Sequence, residues 1–118
     1  MFKGKAASEK AVAAVHQLFN DGKMMEIRAA ADSKFKNSTS EKEWVEMMNA
    51  VQRKLGKVTG TSNAGFNIRN FNLTTTVVLQ QSTTFEQGTA TETFTFEMSG
   101  DKAVLVGYNI TSKDLITK

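Results

Sequence analysis

An acid and a phenol fall on the same predicted face of the C-terminal strands. Glu92 has the parity of Phe94 and Phe96 in an alternating strand, so its carboxylate should point toward the core. Tyr108 is predicted to point inward from the next strand. A carboxylate in a core must be paired, or its pKa rises. Two interpretations follow: either Glu92 lies at a strand end near Gly88, where the core opens to water, or it lines a cavity with Tyr108 and could transfer protons.

Two further side chains, both in one predicted helix, could take part in recognition. Trp44, the only tryptophan, is a core residue or the wall of a pocket, and its indole N–H needs a partner if it is buried. Arg53 either forms an ion pair with Glu92, Glu46 or Glu43, or binds an anionic ligand such as a carboxylate. The candidate ligand-binding residues are therefore Trp44, Arg53, Glu92 and Tyr108.

Composition excludes several kinds of site. The chain of 118 residues has no cysteine and one histidine, so thiolate chemistry and a multi-histidine metal centre are excluded. His16 is predicted to lie at the edge of an apolar helical stripe. Neither a glycine-rich phosphate loop nor a Gly-x-Ser-x-Gly elbow is present. We therefore predict no catalytic residue set, no metal and no cofactor.

The charge distribution is mildly asymmetric. The net charge is +3, from 15 Lys and Arg against 12 Asp and Glu, and the excess lies in the first half. These lysines alternate with acidic residues, as on solvated helices, so we predict no nucleic-acid partner. No apolar run is long enough to span a membrane, and no secretory leader is visible. The protein is therefore either cytoplasmic or an exported chain whose leader is missing from this sequence.

The elements that must position these residues divide near Thr59. Helical spacing predicts a first helix capped by Ser8 and ending near Gly22, and a second from Lys23 to Ala31. Asp32 to Thr39 is predicted to be a loop. The third helix has the clearest start, because Ser40 and Glu43 fit a capping box, and Gly56 should end it.

The second half is predicted to form about four antiparallel strands. Apolar residues alternate in three segments there, and a parity change near Asn70 indicates a turn or bulge. The last strand is predicted to place Val104, Val106, Tyr108 and Ile110 on one face and Leu105 on the other. Helices followed by strands indicate an α+β fold, with three N-terminal helices on a curved four-stranded antiparallel sheet. We predict one domain over 1–118, with flexible termini at 1–7 and 113–118.

A succession of short motifs resembles a known family. It consists of Asn20-Asp21-Gly22, Phe35, Ser40 with Trp44-Val45, Arg53-x-Leu55-Gly56, Glu92-Thr93 and Val106-Gly107-Tyr108. From Ala11 to Ile110 the chain resembles the bacterial domain-of-unknown-function family numbered four-zero-one-nine, and more broadly the cystatin-like and nuclear-transport-factor-two-like (NTF2-like) superfamily. It departs from the family at Ala103, where a tryptophan is common. The resemblance implies helices in the concave face of a curved sheet and periplasmic or other export.

Three functions stay open at this point. The first is a non-enzymatic module that binds a small ligand or a protein between the third helix and the sheet. The second is a small isomerase or hydratase with Glu92 as base in a cone-shaped pocket, an arrangement found in relatives of this fold. The third is self-association, because proteins of the resembled superfamily often pair through their sheets, and a threonine-rich face is predicted here from Thr75, Thr91, Thr93 and Thr95.

Overall fold

The computed structural model describes residues 4–117. Over these residues the chain forms four helices, then four strands, then a short final helix. The elements are α1 (Gly4–Asn20), α2 (Met24–Ala29), α3 (Ser33–Ser38), α4 (Glu41–Leu55), β1 (Val58–Phe71), β2 (Thr74–Phe85), β3 (Gly88–Ser99), β4 (Lys102–Thr111) and α5 (Lys113–Thr117). The α+β class and the four-stranded antiparallel sheet are as predicted. None of the described helices is long and apolar enough to cross a membrane.

The sheet is an antiparallel meander in the order β1-β2-β3-β4. Its first hairpin turns at Asn72 and Leu73, whose φ angles are both positive, at 50° and 66°. Positive φ at both central residues defines the type I′ turn, whose twist matches that of the flanking strands. This turn is the cause of the parity change expected near Asn70. Leu73 is fully exposed there and does not continue the inward face of β2.

Helix α4 begins and ends where its sequence predicts. The Ser40 hydroxyl accepts from Glu43 N, and the Glu43 carboxylate accepts from Ser40 N, which completes the capping box. Gly56 follows the last turn with φ 81°, a conformation that favours glycine. The predicted capping box and glycine stop are both confirmed.

The start of α1 corrects the prediction for Ser8. The helix begins at Gly4, so Ser8 lies in its second turn and does not cap it. Its side chain is fully buried, and the hydroxyl has no hydrogen-bond partner in the described chain. The flexibility expected of 1–7 and 113–118 stays a prediction. Residues 1–3 and 118 lie outside the described residues.

Two short helices were not expected. The segment predicted as a loop, Asp32 to Thr39, contains α3, which is capped by the Asp32 carboxylate accepting from Lys34 N. One buried anchor, Phe35, holds this turn of helix against the core. A single apolar residue in a polar segment gives no periodic signal, which is why the sequence pattern missed α3. The other addition is α5, in the segment expected to be a tail.

The helices cover the face of the sheet on which the aromatic residues lie. Phe94 and Phe96 stack with ring centroids 6.0 Å apart and are essentially unexposed. From α4, Trp44 packs edge-on against Tyr108 of β4 and against Phe35. The inward orientation predicted for positions 94, 96 and 108 is confirmed. Burial of these large rings supplies much of the hydrophobic stabilisation.

A bulge changes the predicted face of β4. Phe94 lies opposite Tyr108, but Phe96 lies opposite Leu105, so β4 carries one extra residue between these pairs. Leu105 is therefore buried, and the prediction that it faces away while Val104 and Val106 face inward is wrong. A bulge adds one residue and so reverses the parity of everything beyond it.

Candidate functional site

Glu92 is the centre of a buried polar cluster. Its side chain is 3% exposed and lies in the middle of β3, not where the core opens to water. Tyr108 donates to Glu92 Oε2 at 2.5 Å, and Thr83 donates to Glu92 Oε1 at 2.6 Å. His16 Nε2 lies 2.7 Å from Glu92 Oε1. We call these four residues the Glu92 network.

Four elements position the network, one for each side chain. The residues of β2 and β4 that carry Thr83 and Tyr108 flank β3 on either side. The bulge in β4 places the Tyr108 ring against Phe94, with ring centroids 5.1 Å apart. His16 reaches down from α1 and packs edge-on against the same Phe94 ring. The network therefore joins the first helix to three strands of the sheet.

The electrostatics favour an ionised Glu92. Burial by itself would raise the pKa of this carboxyl, but the hydrogen bond and charge of His16, with the hydroxyls of Thr83 and Tyr108, outweigh it and lower the pKa below the usual 4.5. Burial, followed by the negative charge of Glu92, raises the pKa of Tyr108 well above its usual range. At neutral pH Tyr108 is therefore a donor and Glu92 an acceptor.

Three of the four predicted site residues come together. Tyr108 contacts Glu92 through its hydroxyl and Trp44 through its ring, with ring centroids 5.7 Å apart. Trp44 is 2% exposed and donates its indole N–H to Met24 O at 2.8 Å. The buried N–H therefore has the hydrogen-bond partner that was expected for it. Trp44 is thus a core residue that ties α4 to α2 and β4.

Arg53 is not part of this cluster. It lies exposed in the last turn of α4, and none of the described residues Glu92, Glu46 and Glu43 forms an ion pair with it. The ion pair expected for Arg53 is absent for a geometric reason. Nine residues along a helix are two and a half turns, so Arg53 points away from the side on which Trp44 meets the sheet.

His16 and Thr83 are the members that the sequence prediction missed. His16 was placed at the edge of the apolar stripe, but it is buried beside Val12, Val15 and Phe19. A usable signal existed, because His16 is four residues after Val12 and three before Phe19, which is the middle of the stripe. Thr83 shares the parity of Val77 and Leu79, so it also faces inward.

Full engagement of Glu92 limits its chemistry. Both carboxylate oxygens accept hydrogen bonds from side chains that are themselves held by packing. A general base must lie within hydrogen-bond reach of a substrate proton, and a carboxylate that is 3% exposed and covered by these side chains leaves no room for a substrate. In this arrangement the carboxylate holds four elements together: α1, β2, β3 and β4. Within the described chain no group of three or more His, Asp and Glu residues is placed to bind a metal ion.

A different part of the molecule offers room for a ligand. A groove of about 360 Å³ lies between α1, α2 and β4, and we call it the α1–β4 groove. Its rim carries Lys10, Asp101 and Lys102. The remaining lining is small or apolar: Ala7, Ala11, Ala14, Val15, Leu18, Ile27, Ala30, Phe96, Ala103 and Leu105.

The groove exists because α1 carries two adjacent stripes. One stripe of large residues is buried in the core. Beside it, Ala7, Ala11, Ala14 and Leu18 recur at helical spacing and border the groove. Alanine methyl groups are too short to reach β4, so a space remains where larger side chains would close the contact.

Comparison with known proteins adds no assignment. No protein-family model matches the chain, and no curated protein is detectably similar to it. The resemblance stated from the sequence motifs therefore stays a prediction.

Proposed function

We propose that this protein is a non-enzymatic binding module and that the α1–β4 groove is its ligand site. The observation that carries the proposal is the groove itself, whose volume lies within the range of small-molecule sites, at its lower end. Its lining is largely apolar, with a few charged groups at the rim. Such a site selects a ligand with an apolar body and one polar end.

The rim indicates the charge of that polar end. Lys10 and Lys102 are both exposed at the groove, against one acidic residue there, Asp101. An ammonium group gains most from a carboxylate or phosphate at hydrogen-bond distance. The ligand class that we propose is therefore an amphipathic anion of about a dozen heavy atoms, with a medium-chain carboxylate as the simplest example.

Decanoate binding, measured by isothermal titration calorimetry, tests the proposal. At about 0.5 kcal/mol per heavy atom, its dissociation constant should be about 40 µM. Ala14→Phe fills the groove and should abolish binding, whereas Ala29→Phe, on the exposed surface of α2, should not change it. If Ala14→Phe binds decanoate like the wild type, the groove is not the site.

The charge preference has its own control. Decyltrimethylammonium has the same tail and a cationic head, and it should bind at least tenfold more weakly than decanoate. The double substitution Lys10→Gln, Lys102→Gln should remove this preference but retain part of the affinity. Equal binding of both ligands to the wild type would refute the proposed preference for an anionic head group. It would not contradict the groove as the binding site for the apolar tail.

Two of the expectations from sequence remain part of the proposal. We assign the fold to the cystatin-like and NTF2-like superfamily, which the packing of α1 and α4 on one face of an antiparallel meander supports. We also propose export, which rests on the family resemblance. Fractionation of cells that express the full reading frame tests export, and retention in the cytoplasm would contradict it.

Self-association is a second candidate function, favoured by the outer face of the sheet. Thr91, Thr93 and Thr95 lie on that face, opposite in direction to Glu92 and Phe94. Thr75 does not, since it shares the inward side of Val77 and bonds Asn70, which corrects the predicted set. Interface centres are depleted in charge, as this stretch of threonines is. Light scattering over a concentration series tests it, and a monomer throughout would refute it.

A further inference from the structure

A second cavity lies on the other side of α1, against β1 and β2. Its volume is about 180 Å³, and we call it the α1–β1 cavity. Glu9 and Ala13 border it from the helix, Ser62 and Asn63 from β1, and Gln81 from β2. Nothing in the proposed function uses this cavity, and its lining is far more polar than that of the α1–β4 groove.

Gln81 is the unusual member of this lining. Its side chain is 4% exposed, and one end of its amide lies 3.1 Å from Thr61 Oγ1. The other end bonds no side chain or backbone group of the described residues. This end reaches open space, because the one fully buried side-chain polar atom without a partner among the described residues is the Ser8 hydroxyl oxygen. The free end of Gln81 is therefore available to a partner from within the cavity.

The Glu92 network determines which end of the amide is free. An ionised carboxylate only accepts, so the single hydroxyl proton of Thr83 goes to Glu92 Oε1. Thr61 Oγ1 lies 2.9 Å from Thr83 Oγ1 and 3.4 Å from Ser82 O, so we assign its proton to the nearer acceptor, Thr83. With its proton used, Thr61 can only accept from the Gln81 amide.

The structure has Oε1 of the amide on the Thr61 side, 3.1 Å from Thr61 Oγ1. Because Thr61 has no second proton to donate, we assign the flipped amide, with Nε2 toward Thr61 and Oε1 toward the cavity. Oxygen and nitrogen exchange places by rotation of the terminal torsion, and the hydrogen-bond network decides between the two orientations. The opposite orientation, with Oε1 toward Thr61, would give Thr61 two acceptors and one proton. The charge on Glu92, which never touches the cavity, thus sets the polarity of the cavity wall.

The cavity consequently presents acceptors. Gln81 Oε1 is joined by the carboxylate of Glu9, which forms an exposed ion pair with Lys5 at 3.4 Å. Exposed ion pairs contribute little to the stability of the fold, so a cationic ligand can displace Lys5 from Glu9. Val12 and Ala13 supply an apolar side. At about 30 Å³ per water, the volume holds a molecule of about four to six heavy atoms.

We propose that the α1–β1 cavity binds a small primary ammonium compound. Its N–H groups donate to Gln81 Oε1 and to the Glu9 carboxylate, and its short alkyl part packs against Val12 and Ala13. The site is independent of the α1–β4 groove, because the two lie on opposite sides of α1 and share no lining residue.

Propylammonium chloride, followed by amide chemical shifts in a two-dimensional NMR titration, tests this site. Saturable shifts should centre on Ala13 and Ser62, with a dissociation constant of about 1 mM, as expected for so few atoms. Glu9→Gln should weaken binding at least tenfold. Glu26→Gln removes an exposed acid from α2, away from the cavity, and is the matched control that should leave binding unchanged.

Butyrate, an anion of similar size, tests the orientation of the amide. It should produce no saturable shifts at Ala13 or Ser62. Gln81→Leu should abolish propylammonium binding, and if that variant does not fold, the Glu9→Gln result decides. Butyrate binding at these residues, linear shifts with propylammonium, or unchanged affinity in Glu9→Gln would each overturn the proposal.

Discussion

Replacing Glu92 by glutamine tests whether the buried carboxylate stabilises the fold. The amide keeps the shape of the side chain but carries no charge and has only one acceptor oxygen. Hydrogen bonds to a charged group contribute about 1.5–3 kcal/mol each, and Glu92 accepts such bonds from Thr83 and Tyr108. Since the amide retains at least one bond, we expect Glu92→Gln to lower the free energy of unfolding by about 3 kcal/mol.

The structure supplies the assay for this change. Trp44 is the only tryptophan, is buried and packs against Tyr108, so its fluorescence reports the loss of tertiary structure around the network. Urea unfolding near neutral pH should give the difference directly. For a chain of this length the melting temperature should fall by about 12 °C. Glu46→Gln removes an exposed carboxylate from α4 and should change the stability by less than about 0.5 kcal/mol.

The pH dependence of the stability difference shows whether the charge of Glu92, and not the shape of its side chain, stabilises the fold. The pKa of Glu92 is lowered in the folded protein, so its contribution is present above the unfolded value and is lost as the pH falls through the folded pKa. The difference between wild type and Glu92→Gln should therefore be constant near neutral pH and narrow below about pH 4.5. A neutral-pH difference under about 1 kcal/mol, or one unchanged in acid, would refute the ionised network.

Four other substitutions give expected outcomes, each measured by the same urea unfolding. Ser8→Ala removes a buried hydroxyl without a partner and should stabilise the fold by about 1 kcal/mol; a loss would mean that the hydroxyl is bonded. Leu73→Gly relieves a positive φ and should stabilise by about 1 kcal/mol, and no gain would contradict strain at the turn. Tyr108→Phe removes one bond to Glu92 and should cost about 2 kcal/mol, whereas a cost near zero would show that this bond is not made. Arg53→Gln should stay within about 0.5 kcal/mol, and a larger loss would reveal a missed partner.

Local sequence signals predicted those parts of the fold that depend on neighbouring residues. The capping box at Ser40 and the glycine at position 56 fix α4 through contacts within one turn of helix. Strand parity brought Glu92 and Tyr108 to the same face correctly, because the pairs from Glu92–Ile110 to Phe94–Tyr108 are in unbroken register and the bulge lies outside them. Predictions that rest on such short-range geometry survive whatever the rest of the chain does.

The errors arise where one residue changes a register or a partner. The bulge in β4 is not marked by a proline or a turn motif, so the inward place of Leu105 could not be read from alternation alone. His16 could have been found, since its spacing puts it in the buried stripe of α1. The α1–β4 groove could not, because small side chains predict close packing and open space equally well.

The two edge strands of the sheet, β1 and β4, differ in how their outward backbone groups are covered. The β4 side is occupied where Asp32 N donates to Leu105 O, so the α2–α3 junction lies across that margin. On the β1 side, Asn20 bonds the backbone of Val58 at the start of the strand, and no other strand of the described chain lies beyond β1. If copies of this chain join by extending the ladder, the less covered edge favours a contact of β1 against β1. Such a contact uses the same surface twice and closes on itself, which limits growth to a pair and prevents a fibre.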